Sequence, residues 1–207
     1  MKVLMFPNEL DRLLIEHLAD LDDGARRLEL LQDRVADAID HVVAVWTDDK
    51  NWLQGDETWR DSWDASVAQP NWRNEDGSWL AWFQLDFGVG DDGEWSEEKD
   101  YFWMTRLCRE GRGQMGFRFA QGEFGKTQWK KYLQKNADRF AGTRFILDDE
   151  PSLFLPVKVD RDVLAKCAEE DDFSEALKPI VEALDHIQQL APRFDEMRQE
   201  MLEQQAS

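Results

Sequence analysis

The chain is poor in everything that marks a secreted or membrane-spanning protein. Its 207 residues include only two cysteines, Cys108 and Cys167, too few for a disulfide framework, so reduced thiols are expected. No apolar run approaches the roughly 20 residues that cross a bilayer. The opening MKVLMFPNELDRLL has too short an apolar stretch for a secretory signal and no small-residue cleavage site. The cytoplasm is therefore the expected address. Three histidines, His17, His41 and His186, lie far apart without HExxH or Cys/His spacing. They predict structural roles, with no metal site and no cofactor. There is no GxSxG string. Counting back from Gly55, Gly77 or Gly93 puts Lys50, Trp72 or Gly88 at the first position of a calcium loop, so none fits an EF-hand. Asp86, Glu97 and Lys99 have nuclease-like composition, but the last two fall in a charged loop and not on an apolar strand. No catalytic residue emerges.

Bases are scarce as well: 25 against 44 acids, a net charge of −19. Such a field repels polyanions and argues against general binding to nucleic acid or anionic membrane. It suits a basic protein, a nucleic-acid-binding protein, or mimicry of a nucleic acid. The charge is uneven, −6 over residues 1–50, −10 over 51–100, +4 over 101–150 and −7 over 151–207. One basic island lies inside an acidic chain.

What is abundant is hydrophobic periodicity and tryptophan. An apolar share of 42% supports one domain spanning 1–207. Asn8 can cap a first helix carrying Leu10, Leu13, Leu14 and Leu18 on one side. LDDG at 21–24 is expected to break it before a second helix over 24–46, striped by Leu28, Leu31, Val35, Ile39, Val42 and Trp46. Residues 47–77 read as an irregular, acidic excursion studded with Trp52, Trp59, Trp63 and Trp72.

From residue 78 the period becomes two. SWLAWFQLDF predicts a strand with Trp79, Ala81, Phe83, Leu85 and Phe87 on one face. DYFWMTRLCR and QMGFRFAQ around EGRG predict a hairpin. A basic helix over 126–139, strands 143–148 and 153–159, a helix capped by Asp160 and a last helix begun by an Asp172–Glu175 capping box complete the chain. Pro179 and Pro192 are expected to kink or divide that last helix. The fold class is α+β: an antiparallel-dominated sheet of about five strands over 78–159, packed by a long N-terminal helix, the basic helix and a C-terminal helix.

AQGEFGKT, residues 120–127, matches the loose phosphate-loop pattern. In that reading Gly125, Lys126 and Thr127 hold a nucleotide and Asp148 completes a magnesium shell. Against it, Glu123 sits inside the cradle, Ala120 replaces the leading glycine, GFRF is not the apolar strand of a parallel sheet, and few residues follow. A second constellation is the helix with Lys126, Lys130, Lys131, Lys135 and Arg139. With Arg109 and Arg112 at the hairpin tip it forms a candidate basic patch for a defence-associated nucleic-acid-binding module. The third is a recognition surface of Trp52, Trp59, Trp63 and Trp72 with Asp56 and Asp61. It carries the main expectation: a non-enzymatic interaction protein (an inhibitor, antitoxin-like or accessory factor) that engages a basic macromolecular partner.

Overall fold

The computed structural model describes residues 7–74, 76–88, 100–111, 113–148 and 152–205. Two helices open it, α1 (Pro7–Glu16) and α2 (Leu18–Lys50). They meet at His17, where φ −110° and ψ 20° interrupt regular geometry while His17 N donates to Leu13 O and Leu21 N to His17 O. The expected break at 21–24 is thus displaced to His17. Gly24 sits inside α2 despite costing a helix interior about 1 kcal/mol relative to alanine. Asp20 lies in the first turn of α2, where an acid is favoured, and Asp23 pairs with Arg27 one turn further on, so LDDG does not terminate the helix.

The 47–77 segment is more ordered than its composition suggested. It contributes β1 (Leu53–Gln54), a one-turn helix α3 (Trp59–Ser62) and β2 (Ala65–Ala68). Next come β3 (Ala81–Gly88), α4 (Trp103–Leu107), β4 (Gln114–Gln121), α5 (Lys126–Asn136), β5 (Ile146–Asp148), β6 (Ser152–Val157), α6 (Arg161–Glu170) and α7 (Lys178–Gln205). The strands form one six-stranded antiparallel sheet in the order β1-β2-β3-β4-β6-β5.

The expected hairpin between 100–109 and 114–121 is replaced by an eight-residue ladder of β4 on β3, from Ala81 opposite Gln121 to Gly88 opposite Gln114. DYFWMTRLC instead coils into α4, because Trp103, Arg106 and Leu107, spaced three and four apart, are the side chains it buries. At the other end Pro179 occupies the second position of α7, where a missing N–H costs nothing, and α7 runs undivided through Pro192. Asp160 caps α6 as expected, accepting from Asp162 N and Val163 N.

The helices cover one face of the sheet. Phe194 of α7 lies 4.8 Å from both Phe83 and Phe119, and Trp129 of α5 lies 5.9 Å from Phe119. Val35, Ile39, Val43 and Trp46 of α2 join the same core. Acids of α7 satisfy the polar edges of three buried aromatics. Trp46 Nε1 donates to Asp185 (2.9 Å), Trp72 Nε1 to Asp195 (2.6 Å), and the Tyr132 hydroxyl to Glu200 (2.9 Å). Asp40 of α2 plays the same part for α3, accepting from Trp59 N at 2.7 Å and Arg60 N at 2.9 Å. Burial pushes its carboxyl above the ordinary range, and the two backbone donors pull it back. A share of the negative charge is therefore structural. Among the described residues no helix is long and apolar enough to cross a membrane.

Candidate functional site: an acidic cleft with an indole corner

The opposite face of the sheet carries a cleft of about 350 Å³ at its β1-β2-β3 end. Its geometry starts with alternation along β3. Ala81, Phe83 and Leu85 point into the core, which sends Trp82 and Gln84 to the opposite face. Trp79, expected with Ala81, instead lines the cleft and meets Trp82 edge-on at 6.4 Å, so two half-buried indoles form a corner. Ser66 lies opposite Gln84 in the β2–β3 register. Gly55 brings the wall close: its N–H donates to Ser66 O at 2.9 Å, and a Cβ there would meet Ser66 Cβ at 3.3 Å.

Three carboxylates line the cleft with one cation. Asp64 is fixed at the floor, accepting from Ser66 Oγ and from Gln84 Nε2 (3.1 Å). Asp56 and Glu57 are exposed on the rim and hold no hydrogen bond or ion pair among the described residues. Arg73 is the lone base, tied by its Nε to Gly77 O at 2.9 Å. The lining therefore carries a charge of −2. Among the described residues no three His, Cys, Asp or Glu converge to hold a metal ion. Such a lining can accept an organic cation: carboxylates for charge, indole faces for the body of the group.

The predicted recognition residues are scattered. Trp59 and Trp72 are 1% and 0% exposed, and Trp52 is also buried, stacked edge-on to Trp46 and Trp72. These three indoles are core, and the expectation of an exposed surface is corrected for them. The N–H partner of Trp72, Asp195, and the rings that pack on Trp59 and Trp72, among them Phe87, Trp103, Phe83 and Phe119, lie far along the chain and leave no local trace. Trp63 is 55% exposed at φ 58°, a strained setting for a bulky residue, and rests on Phe87, outside the cleft. Asp61 is taken up at the start of α3, its N–H bonding Thr58 Oγ1 and its carboxylate accepting from the same hydroxyl. Asp56 alone of the six lines the cleft. Glu57, Asp64, Trp79 and Trp82 were missed, although the period-two pattern already set Trp82 on the non-core face.

The phosphate-loop reading fares poorly in geometry. The strand entering the loop, β4, is antiparallel to both its neighbours, and β6 separates it from β5, which ends at Asp148. Gly122 N donates to Leu80 O and Phe124 N to Gln121 Oε1, so two donors of the would-be cradle are already occupied. Phe124 is buried beneath the loop. Gly125 begins α5 as its N-cap, and Lys126 and Thr127 are exposed.

The basic patch is divided. Arg112 lies outside the described residues. Arg109 precedes β4 and the α5 lysines follow it, so eight strand residues, roughly 26 Å, separate them. Arg139 is bound to Glu200 at 2.6 Å. Lys126, Lys130, Lys131 and Lys135 remain exposed with no ion pair among the described residues. His186 stacks on Phe145 and accepts from Arg144 N at 3.4 Å, and desolvation lowers its pKa. Cys108 and Cys167 are free and buried, and burial pushes the Cys108 thiol up to about 11. Comparison with family models, curated proteins and solved structures finds no match to this chain.

Proposed function

We propose that this protein is a non-enzymatic interaction protein that binds a basic macromolecular partner by seating a cationic side chain in the acidic cleft. One observation carries the reading: Asp56 and Glu57, unpartnered among the described residues, face a corner built by Trp79 and Trp82 above a fixed Asp64. An arginine suits this lining best, since its flat guanidinium stacks on indole while its fork meets carboxylates. The net charge of −19 adds attraction at longer range, which would speed encounter at low salt. The buried, free thiols fit a reducing, cytoplasmic setting.

The test uses an oligoarginine peptide as probe, followed by tryptophan fluorescence. Saturable binding that weakens with salt is expected. Trp82→Ala, and separately Asp56→Asn with Glu57→Gln, should each weaken it at least about tenfold, or about 1.4 kcal/mol. Equal binding by wild type and both cleft variants would refute the assignment. A second reading draws on the four lysines of α5 that hold no ion pair among the described residues and would grip phosphates or an acidic partner. It requires binding to a DNA or RNA oligonucleotide that disappears on Lys131→Glu with Lys135→Glu.

A further inference from the structure

The N-terminal arm presents an apolar stripe that nothing in the described structure covers. Leu14, Leu18, Leu21 and Leu28 are all exposed, Leu18 to 65%. Burial in α2 begins only at Val35. Leu14 of α1 and Leu21 and Leu28 of α2 recur at seven-residue steps, the spacing of a seam along another helix, and the hydrogen bonds from His17 N to Leu13 O and from Leu21 N to His17 O carry the helical path across the junction. Gly24 lies on the flank of that seam with nothing within 4 Å of where its Cβ would stand. Among the described residues no packing neighbour requires a glycine there, and beside exposed leucines it offers room for close approach. Monomers seldom leave an apolar stripe of this length in water.

We infer that this arm pairs with the same arm of a second copy, antiparallel, about a two-fold axis near residues 22 and 23. Charge selects both occupant and direction. Between Glu9 and Asp23 six acids stand against Arg12 alone, whereas Arg26 and Arg27 follow at once. Parallel pairing would set the acidic stretches against each other. Antiparallel pairing sets Asp20 of one copy beside Arg27 of the other, Leu21 against the partner copy's glycine at 24, and Leu14 against the part of its leucine at 31 that its own core leaves uncovered. Arg27 is now bound only within its own helix, to Asp23 at 2.9 Å, and Arg26 has no ion pair among the described residues. The joined stripes would bury on the order of 1,000 Å², where specific interfaces begin. The two globular bodies would sit at opposite ends, their Val35 residues roughly 40 Å apart along the pair, and would not collide.

Sedimentation equilibrium of the full chain tests this. The expected mass is twice the 24.3 kDa of the chain. Leu21→Glu should give the monomer mass with unchanged circular dichroism above that of the arm itself. Gly24→Leu should weaken dimerisation at least tenfold while its monomer melts no lower than wild type, because the space beside Gly24 is open. Arg27→Glu should weaken the dimer, and adding Asp20→Arg should restore it. A wild-type chain that stays monomeric at high concentration overturns the inference. So does a dimer indifferent to Leu21→Glu, or an Asp20→Arg partner change that fails to restore pairing. None of these outcomes depends on the acidic cleft.

Discussion

Two sets of indoles and acids share this chain and face opposite ways. Trp46, Trp52, Trp59 and Trp72 are sealed in the core, and for Trp46 and Trp72 an acid of α7 takes the indole N–H. Trp79 and Trp82 stand at a cleft whose rim acids bind nothing among the described residues. The difference lies in commitment. An acid that accepts from a buried donor is part of the fold, whereas an acid with no partner beside an indole is available to a ligand. Composition counts both alike.

The comparison breaks most easily at its largest contrast. Trp72→Ala should lower unfolding free energy by about 3–5 kcal/mol in denaturant titration, since a fully buried ring is lost and Asp195 keeps only the longer of its two donors, Asn71. Trp82→Ala should cost well under that, about 1 kcal/mol for a half-buried ring. Similar losses for the two would place Trp82 among the core residues and close the cleft as a binding site. Next in size is Asp40→Ala, which strips two backbone donors at the start of α3 and should cost about 1–2 kcal/mol. Asp56→Asn with Glu57→Gln should change stability by no more than about 0.5 kcal/mol, as expected of uncommitted surface acids.

The last expected effect, also small, is a pH dependence at Glu200. The Arg139 guanidinium, with burial opposing and Tyr132 assisting, holds this carboxyl below its ordinary 4.5. A depressed carboxylate stabilises the fold above its unfolded pKa and loses that contribution as pH falls through the folded value. Wild type should therefore lose stability relative to Glu200→Gln as pH drops below about 4.5. The difference should stay within about 1 kcal/mol, because both partners are more than a third exposed.

Much of the fold was legible because periodicity survives tertiary context where burial is one-sided. The stripe of α2 from Val35 onward, the alternation of β3, the Asp160 cap and the basic helix all read directly, whereas Leu28 of the same stripe is exposed. The errors share one physical origin, local strings that satisfy two patterns. DYFWMTRLC carries apolar residues at both strand and helix spacing, and the longer ladder available to β3 decided between them. Trp52, Trp59 and Trp72 sit among acids and read as surface, but their packing partners lie in α2, β3, α4, β4 and α7. The candidate site was only half legible. Trp82 and Gln84 could be set on the outer face from alternation, but nothing local brings Asp56 and Glu57 against them. That meeting depends on β1 folding back along β2.

The most direct measurement follows the ten indole N–H signals of the full chain by NMR, each assigned by a Trp→Phe variant, as oligoarginine is added. The signals of Trp79 and Trp82 should move together and saturate, while those of Trp46, Trp59 and Trp72 hold still. Movement of the buried set with Trp79 and Trp82 unchanged would contradict the account.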